Sequence, residues 1–285
     1  MGKQLLGRPV AEAIKEGLRP AIRTLDAAGI CPCLCIVRVG EQGSAIAYER
    51  SAKKSCEALG IRVESRTAPA ESRTEELLDL MDAINADSAI HGCLLLRPLP
   101  KQVDEVAVCE RLAPEKDVDG ITSRSLAKVF CGAGAGFAPC TAQACLEMLD
   151  YYGVALSGAN VTVIGRSLVV GRPVAALLTG RDATVTLCHR KTKDLPELCR
   201  NAEVLIAAAG SLGMVDGRYA HAGQIVLDVG TNVDASGKLR GDVDFEAVEP
   251  VVEAISPVPG GVGSVTTAVL AKHVIEAAMR QLDEI

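Results

Sequence analysis

No stretch of the chain approaches the roughly 18 consecutive apolar residues that a membrane-spanning helix needs, so no membrane association is expected. The opening residues, MGKQLLGRPVAEAIKEG, lack the apolar core of a signal peptide. Leu6 stands where a myristoylated N-terminus carries serine or threonine. Basic runs are missing too. With a net charge of −6, the chain is a poor match for nucleic acid, and a small-molecule ligand is the better expectation. Histidines are few and scattered: His91, His189, His221 and His273. The "CPCLC" segment puts Cys31, Cys33 and Cys35 on one face of a predicted strand, but no second CxxC or HxxxH completes a metal site, and none is expected. The eleven cysteines, odd in number and irregularly spaced, read as reduced core thiols of a cytoplasmic protein.

What is present is a long series of short apolar runs. The 285 residues, 48% apolar, leave room for two ordinary domains. In the first half, strands are expected at 33–40, 62–68 and 92–98, with helices at about 44–59, 74–87 and 103–112. Leu77, Leu78, Met81 and Ile84 recur at helical spacing. This βαβαβ order predicts a parallel sheet covered by helices. Residues 124–137, RSLAKVFCGAGAGF, read as a loop, followed by a helix over 141–153. A second alternating series follows, with strands at 161–165, 184–189, 204–210 and 225–230 and a last helix over 266–283. The predicted class is α/β with two parallel-sheet domains, the second Rossmann-like.

The strongest local signal is VTVIGRSLVVGRPVAALL, a strand, a glycine turn and a helix. Gly165 ends the strand, Gly171 permits close backbone approach, and Pro173 suits a first helical turn. Backbone N–H groups at such a helix start attract phosphate. The turn is not GxGxxG, so an ordinary βα connection remains the alternative. Its place at the first strand of a doubly wound series favours a nucleotide. About 20 residues further on, an NAD site usually carries an acid for the ribose. Here CHRKTKD supplies His189, Arg190 and Lys191, with Arg166 in the turn. These cations suit the 2′-phosphate of NADP rather than NAD; the bland alternative is a solvated basic loop.

The segments VGEQGSAIAYERSAKKSCEALGI, RPLP, PEKDVDG, PCT, VIGRSLVVGRP, TVTLCHRKT, DVGTN, GDVDF and PVPGGVGSVT run the length of the chain. In this order they resemble the bifunctional methylenetetrahydrofolate dehydrogenase/cyclohydrolase family. The resemblance implies oxidation of 5,10-methylenetetrahydrofolate with NADP in one-carbon metabolism, then hydration to 10-formyltetrahydrofolate. It also implies a homodimer and a cleft between two domains. Those are expected at 1–138, for folate and catalysis, and at 139–265, for the nucleotide, with the last helix, 266–285, returning to the first.

By position, the resemblance puts Tyr48 beside the folate's aminobenzoate and Asp119 on the pterin, both with catalytic roles. It puts Gly165, Arg166 and Ser167 in the phosphate turn and Thr231 near the nicotinamide. Pro259, Gly260 and Gly261 fall in the substrate loop. Two positions depart from the pattern. The family's lysine four residues after the tyrosine is Ala52, and its glutamine is Leu96. Lys53 and Lys54 lie about 140° and about 120° around a helix from Tyr48, off its face. Arg97 is a further candidate, for orienting the folate. Three readings follow: a dehydrogenase with weak or absent cyclohydrolase, a full bifunctional enzyme with a rebuilt site, and a non-catalytic folate- and nucleotide-binding protein.

Overall fold

The computed structural model describes residues 2–283, and the chain divides into two compact units. One comprises Ala13–Cys140 and the residues from Thr267 onward; the other comprises the residues up to Glu12 and Thr141–Thr266. The class is α/β, as the alternation of strands and helices predicts.

In the first unit, three parallel strands are ordered Arg62–Ala68, Cys33–Val39, Gly92–Leu95. The helices Gly43–Glu57 and Thr74–Ala86 are the crossovers between them. The central strand is buried almost end to end, which is why it reads as an unbroken apolar run rather than an alternating one. Thr74–Ala86 turns Leu77, Met81 and Ile84 onto this sheet at helical spacing. Cys33, Cys35 and Cys93 pack in the same core, where burial pushes the Cys33 thiol up to about 11 and the Cys35 thiol up to about 12. Cys31 does not share their face: the strand starts at Cys33, and Cys31 is exposed, as is Cys131.

There are three further differences from expectation. The stretch expected as a loop at 124–137 begins with a helix, Ser123–Cys131. The Thr122 hydroxyl accepts from the Ser125 N–H to start it, and Gly132, at φ +73°, ends it. Only the glycine-rich remainder is irregular. The helix Gly7–Ala27 was not among the expected elements, although Val10, Ile14, Leu18, Ile22 and Leu25 recur at helical spacing on its inner face. Finally, the first residues do not belong with the unit expected at 1–138. Lys3–Gln4 pairs in parallel with Ala254–Ile255, so the segment up to Glu12 joins the second unit.

That second unit holds a six-stranded parallel sheet. Its order is Lys3–Gln4, Ala254–Ile255, Ile225–Asp228, Val204–Ala207, Asn160–Ile164, Thr184–Cys188. Asn160–Ile164, the first strand of the second series, has Thr184–Cys188 on one side and Val204–Ala207 on the other. The winding therefore reverses at its carboxyl end, the place where doubly wound sheets bind ligands. Gly165 follows immediately. The last helix, Val262–Asp283, starts four residues before the expected 266, inside the glycine-rich turn.

Candidate functional site

In the first unit the centre of interest is the turn of "KDVDG". Its two carboxylates do different work. Asp117 is fully buried and accepts from the Ile121 N–H at 2.9 Å, the Thr122 N–H at 2.8 Å and the Ser125 Oγ at 2.6 Å. It therefore builds the turn and ties it to the helix Ser123–Cys131. Asp119 makes none of these three bonds. Cys140 lies close enough to bear on its carboxylate and favours the charged form. Gly120, at φ +66°, makes that meeting possible, because a Cβ there would stand 2.5 Å from the Pro139 nitrogen.

Burial pushes the Asp119 carboxyl up to about 6; Cys140 and the more distant Arg97 oppose this, while the neighbouring Asp117 adds to it. The residue keeps some solvent contact, but the carboxyl is recessed among protein atoms. Tyr48 lies near enough to feel Asp119 and Cys140, and burial, foremost, holds its phenol well above the ordinary value. The phenol is thus neutral and can both donate and accept.

Tyr48, Ala52 and Cys56 recur every four residues on the inner face of the helix Gly43–Glu57. Ala52 and Cys56 are both completely buried. Lys53 and Lys54 are exposed, and the Lys53 ammonium sits 3.8 Å from Glu57, one turn along the outer face. Neither is on the Tyr48 face, as the helical geometry predicts. Leu96 is 7% exposed and continues the strand ladder through its N–H to the Val37 carbonyl at 2.9 Å. Arg97 is half-buried and lies 3.8 Å from Glu105, whose other carboxylate oxygen accepts from the Leu99 N–H.

Near Asp119 stand two residues to which the residue-by-residue reading gave no role. Cys140, of "PCT", has its sulfur 3.2 Å from the Val118 carbonyl. His273 Nδ1 is 2.8 Å from the same carbonyl and 3.7 Å from that sulfur. His273 lies in the last helix, where nothing in sequence marks it.

In the second unit, the turn after Asn160–Ile164 is tightly folded. A Cβ on Gly171 would overlap the Gly165 carbonyl, and one on Gly165 would overlap the Ala208 carbonyl. The Ser167 Oγ accepts from the Val170 N–H at 3.1 Å, and the helix Gly171–Thr179 starts with no side chain capping it. The Arg172 N–H donates to the Ser167 carbonyl at 3.1 Å and Pro173 has no N–H, so at this helix start the Gly171 N–H is the group left to meet an anion. Arg166, Ser167 and Arg190 are exposed. His189 is anchored: its N–H donates to the Thr192 hydroxyl, and its Nδ1 accepts from the Lys191 N–H at 3.2 Å. The residues present fit a dinucleotide phosphate on the turn and a second anionic group near Arg190.

Two buried carboxylates support the neighbouring loops, and sequence gave them no role. Asp242 accepts from the N–H groups of Ala209, Gly210 and Ser211 and from Asn232 Nδ2. Asp228 accepts from Gly230, Asp242 and Val243, while burial pushes it up to about 6. Thr231 is exposed between Gly230 and Asn232, both fixed this way. Pro259 and Gly260 are exposed and Gly261 is buried; the Gly260 carbonyl accepts from the Gly7 N–H at 2.8 Å.

Residues 5–119 match the tetrahydrofolate dehydrogenase/cyclohydrolase catalytic domain, and residues 139–282 match the NAD(P)-binding domain of the same family. The chain is 48% identical to the bifunctional protein FolD of Carboxydothermus hydrogenoformans, over 97% of each chain. The bifunctional FolD methylenetetrahydrofolate dehydrogenase/cyclohydrolase of Campylobacter jejuni superposes with a TM-score of 0.95 at 36% identity, over 98% of this chain and 99% of that one. The Trypanosoma brucei FolD, solved with NADP cofactor and inhibitor, gives a TM-score of 0.93 at 33% identity, over 99% and 98%.

Proposed function

We propose, from the premise that this chain belongs to the tetrahydrofolate dehydrogenase/cyclohydrolase family, that it oxidises 5,10-methylenetetrahydrofolate to the methenyl cation with NADP and hydrolyses that cation poorly or not at all. The observation that carries the folate half is the division of labour in "KDVDG". Asp117 accounts for the turn, which leaves Asp119 as a recessed carboxylate with capacity to accept. An amino-pyrimidine edge offers two parallel N–H donors, the geometry that a carboxylate accepts best. Tyr48, neutral and adjacent, stacks beside the folate, and Arg97 contributes to its orientation. Together they fix the donor carbon, and such positioning is most of what hydride transfer asks of a protein.

NADP supplies the hydride acceptor. Gly165, Arg166, Ser167 and Gly171 would hold its pyrophosphate, His189 and Arg190 its 2′-phosphate, and the Thr231 backbone its nicotinamide half. Loss of one charge-assisted phosphate contact removes about 1.5–3 kcal/mol. Arg190→Ala is accordingly expected to lower kcat/KM for NADP by about 10- to 100-fold and to leave that for NAD nearly unchanged. A natural enzyme that preferred NAD would overturn the assignment.

The hydrolytic half rests on proton transfer. At the lysine position stands a fully buried alanine, and at the glutamine position a buried leucine. The deciding experiment mixes the protein with methylenetetrahydrofolate and NADP. Methenyl product is followed by its near-ultraviolet absorbance, and its decay is compared with the spontaneous rate. Formation without accelerated decay is the expected result. Absence of formation would return the chain to a binding role. We also expect a homodimer, to be checked by sedimentation. A cytoplasmic site of action fits free cysteines that are mostly buried.

A further inference from the structure

We propose that Thr192 is a positioning residue for cofactor choice: its hydroxyl closes the loop after Thr184–Cys188 around Arg190, so that His189 and Arg190 meet the 2′-phosphate in a set arrangement. This rests on the reading of NADP as the cofactor, and extends it to a half-buried residue that follows them. The loop begins beside the phosphate turn. Thr184–Cys188 pairs in parallel with Asn160–Ile164, and the Gly165 N–H donates to the Cys188 carbonyl at 2.9 Å. His189 is thus one residue from the point where turn and loop are joined. Three hydrogen bonds then bridge Arg190. The His189 N–H donates to the Thr192 Oγ1 at 2.9 Å, and the Thr192 N–H donates to the His189 carbonyl at 2.8 Å. The Lys191 N–H donates to His189 Nδ1 at 3.2 Å.

The contact with Lys191 also fixes the imidazole. A backbone N–H only donates, so Nδ1 is the bare nitrogen and the neutral ring carries its proton on Nε2. An Nε2–H is a donor that a phosphate oxygen can accept; the other tautomer would present a lone pair instead. Thr192 Oγ1 stands 3.4 Å from the same Nδ1, so the hydroxyl backs both the main chain and the ring of His189. Without it the His189 N–H loses its acceptor, and the residue next to Arg190 is free to turn. Arg190 is exposed, and its side chain loses rotamer freedom when it takes hold of an anion. A main chain already fixed on either side of it lowers the cost of ordering. NAD has no 2′-phosphate and gains nothing from this arrangement.

Two measurements test this, and neither needs folate. The first is calorimetry of NADP and NAD binding to the natural protein and to three variants. Thr192→Val keeps the shape and the N–H of threonine and removes the hydroxyl. It should weaken NADP by about 3- to 10-fold, the scale of one hydrogen bond, and leave NAD unchanged. Thr192→Ser, which keeps the hydroxyl, should bind both as the natural protein does. Thr192→Ala should show the same split as the valine variant, and decides the matter if that variant does not fold. A merely structural role would weaken both cofactors alike. The second measurement is ¹⁵N NMR of histidine-labelled protein in mildly alkaline solution, with His189 assigned through His189→Gln. The natural ring should carry its proton on Nε2. Equal losses for the two cofactors or no loss in Thr192→Val, weaker NADP binding in Thr192→Ser, or a proton on Nδ1 would overturn the proposal while the natural preference for NADP stood. A natural protein that bound NAD as tightly as NADP would overturn the cofactor reading itself, and this proposal with it.

Discussion

Replacing Asp119 with alanine is expected to lower kcat/KM for methylenetetrahydrofolate by about 30-fold to about 10⁴-fold while NADP still binds. The range follows from two pterin N–H donors left without an acceptor, at about 1–3 kcal/mol each, and about 1.4 kcal/mol per factor of ten. The fold should not suffer, because Asp117 carries the hydrogen bonds of the turn. Stability separates a binding role from a structural one. The Asp119 carboxyl sits at about 6 against an ordinary 3.8. The native state thus keeps a proton that the unfolded chain gives up, and its stability falls as pH rises from about 4 to about 6 and stays lower above. Asp119→Asn removes that loss, roughly 3 kcal/mol at neutral pH before allowance for the solvent contact the residue keeps, and less after it. The asparagine variant should therefore melt at the same temperature or higher at pH 7.5, yet turn over folate poorly. A lower Tm with intact kinetics would make Asp119 a turn residue after all.

How far the sequence alone reaches depends on whether a residue's role is local. The buried strands are legible because parallel sheets covered on both faces leave continuous apolar runs, as in Cys33–Val39. The absence of Lys53 and Lys54 from the Tyr48 face follows from helical geometry alone. Helix ends were harder. Ser123–Cys131 was hidden by the glycines after it, although Thr122 is a proper start signal. Lys3–Gln4 is too short to show a period, and its pairing with Ala254–Ile255 spans nearly the whole chain. The site followed the same rule. Asp119 could be singled out from its motif, but its contrast with Asp117 appears only when their partners are seen. His273 reaches the Val118 carbonyl across 155 residues, so no local pattern could carry it. Asp228 and Asp242 likewise serve loops brought together by the sheet.

The natural protein is expected to hydrolyse methenyltetrahydrofolate no faster than water does, and Ala52→Lys with Leu96→Gln is expected to gain about 10²–10⁴-fold, the usual scale of positioned proton transfer. Ala52 lies one helical turn from Tyr48 on the same face and has no exposed surface. A lysine stem there would run along the Tyr48 face, with its amine desolvated near Asp119. Burial lowers the pKa of such an amine and the carboxylate raises it, which suits a group that must both give and take a proton. Leu96→Gln keeps nearly the same volume and restores a side chain able to hydrogen-bond water. The larger residue at 52 overpacks a filled position, at about 1–3 kcal/mol, so a lower Tm accompanies the gain. Ala52→Met with Leu96→Gln separates bulk from chemistry: it should lose stability similarly and gain no hydrolysis. Lys54→Ala should change nothing, since Lys54 is exposed on the other face. Rapid hydrolysis by the natural protein that Lys54→Ala abolished would make that outer lysine the working residue and defeat the proposal. Equal gains from the lysine and methionine pairs would instead assign the effect to packing.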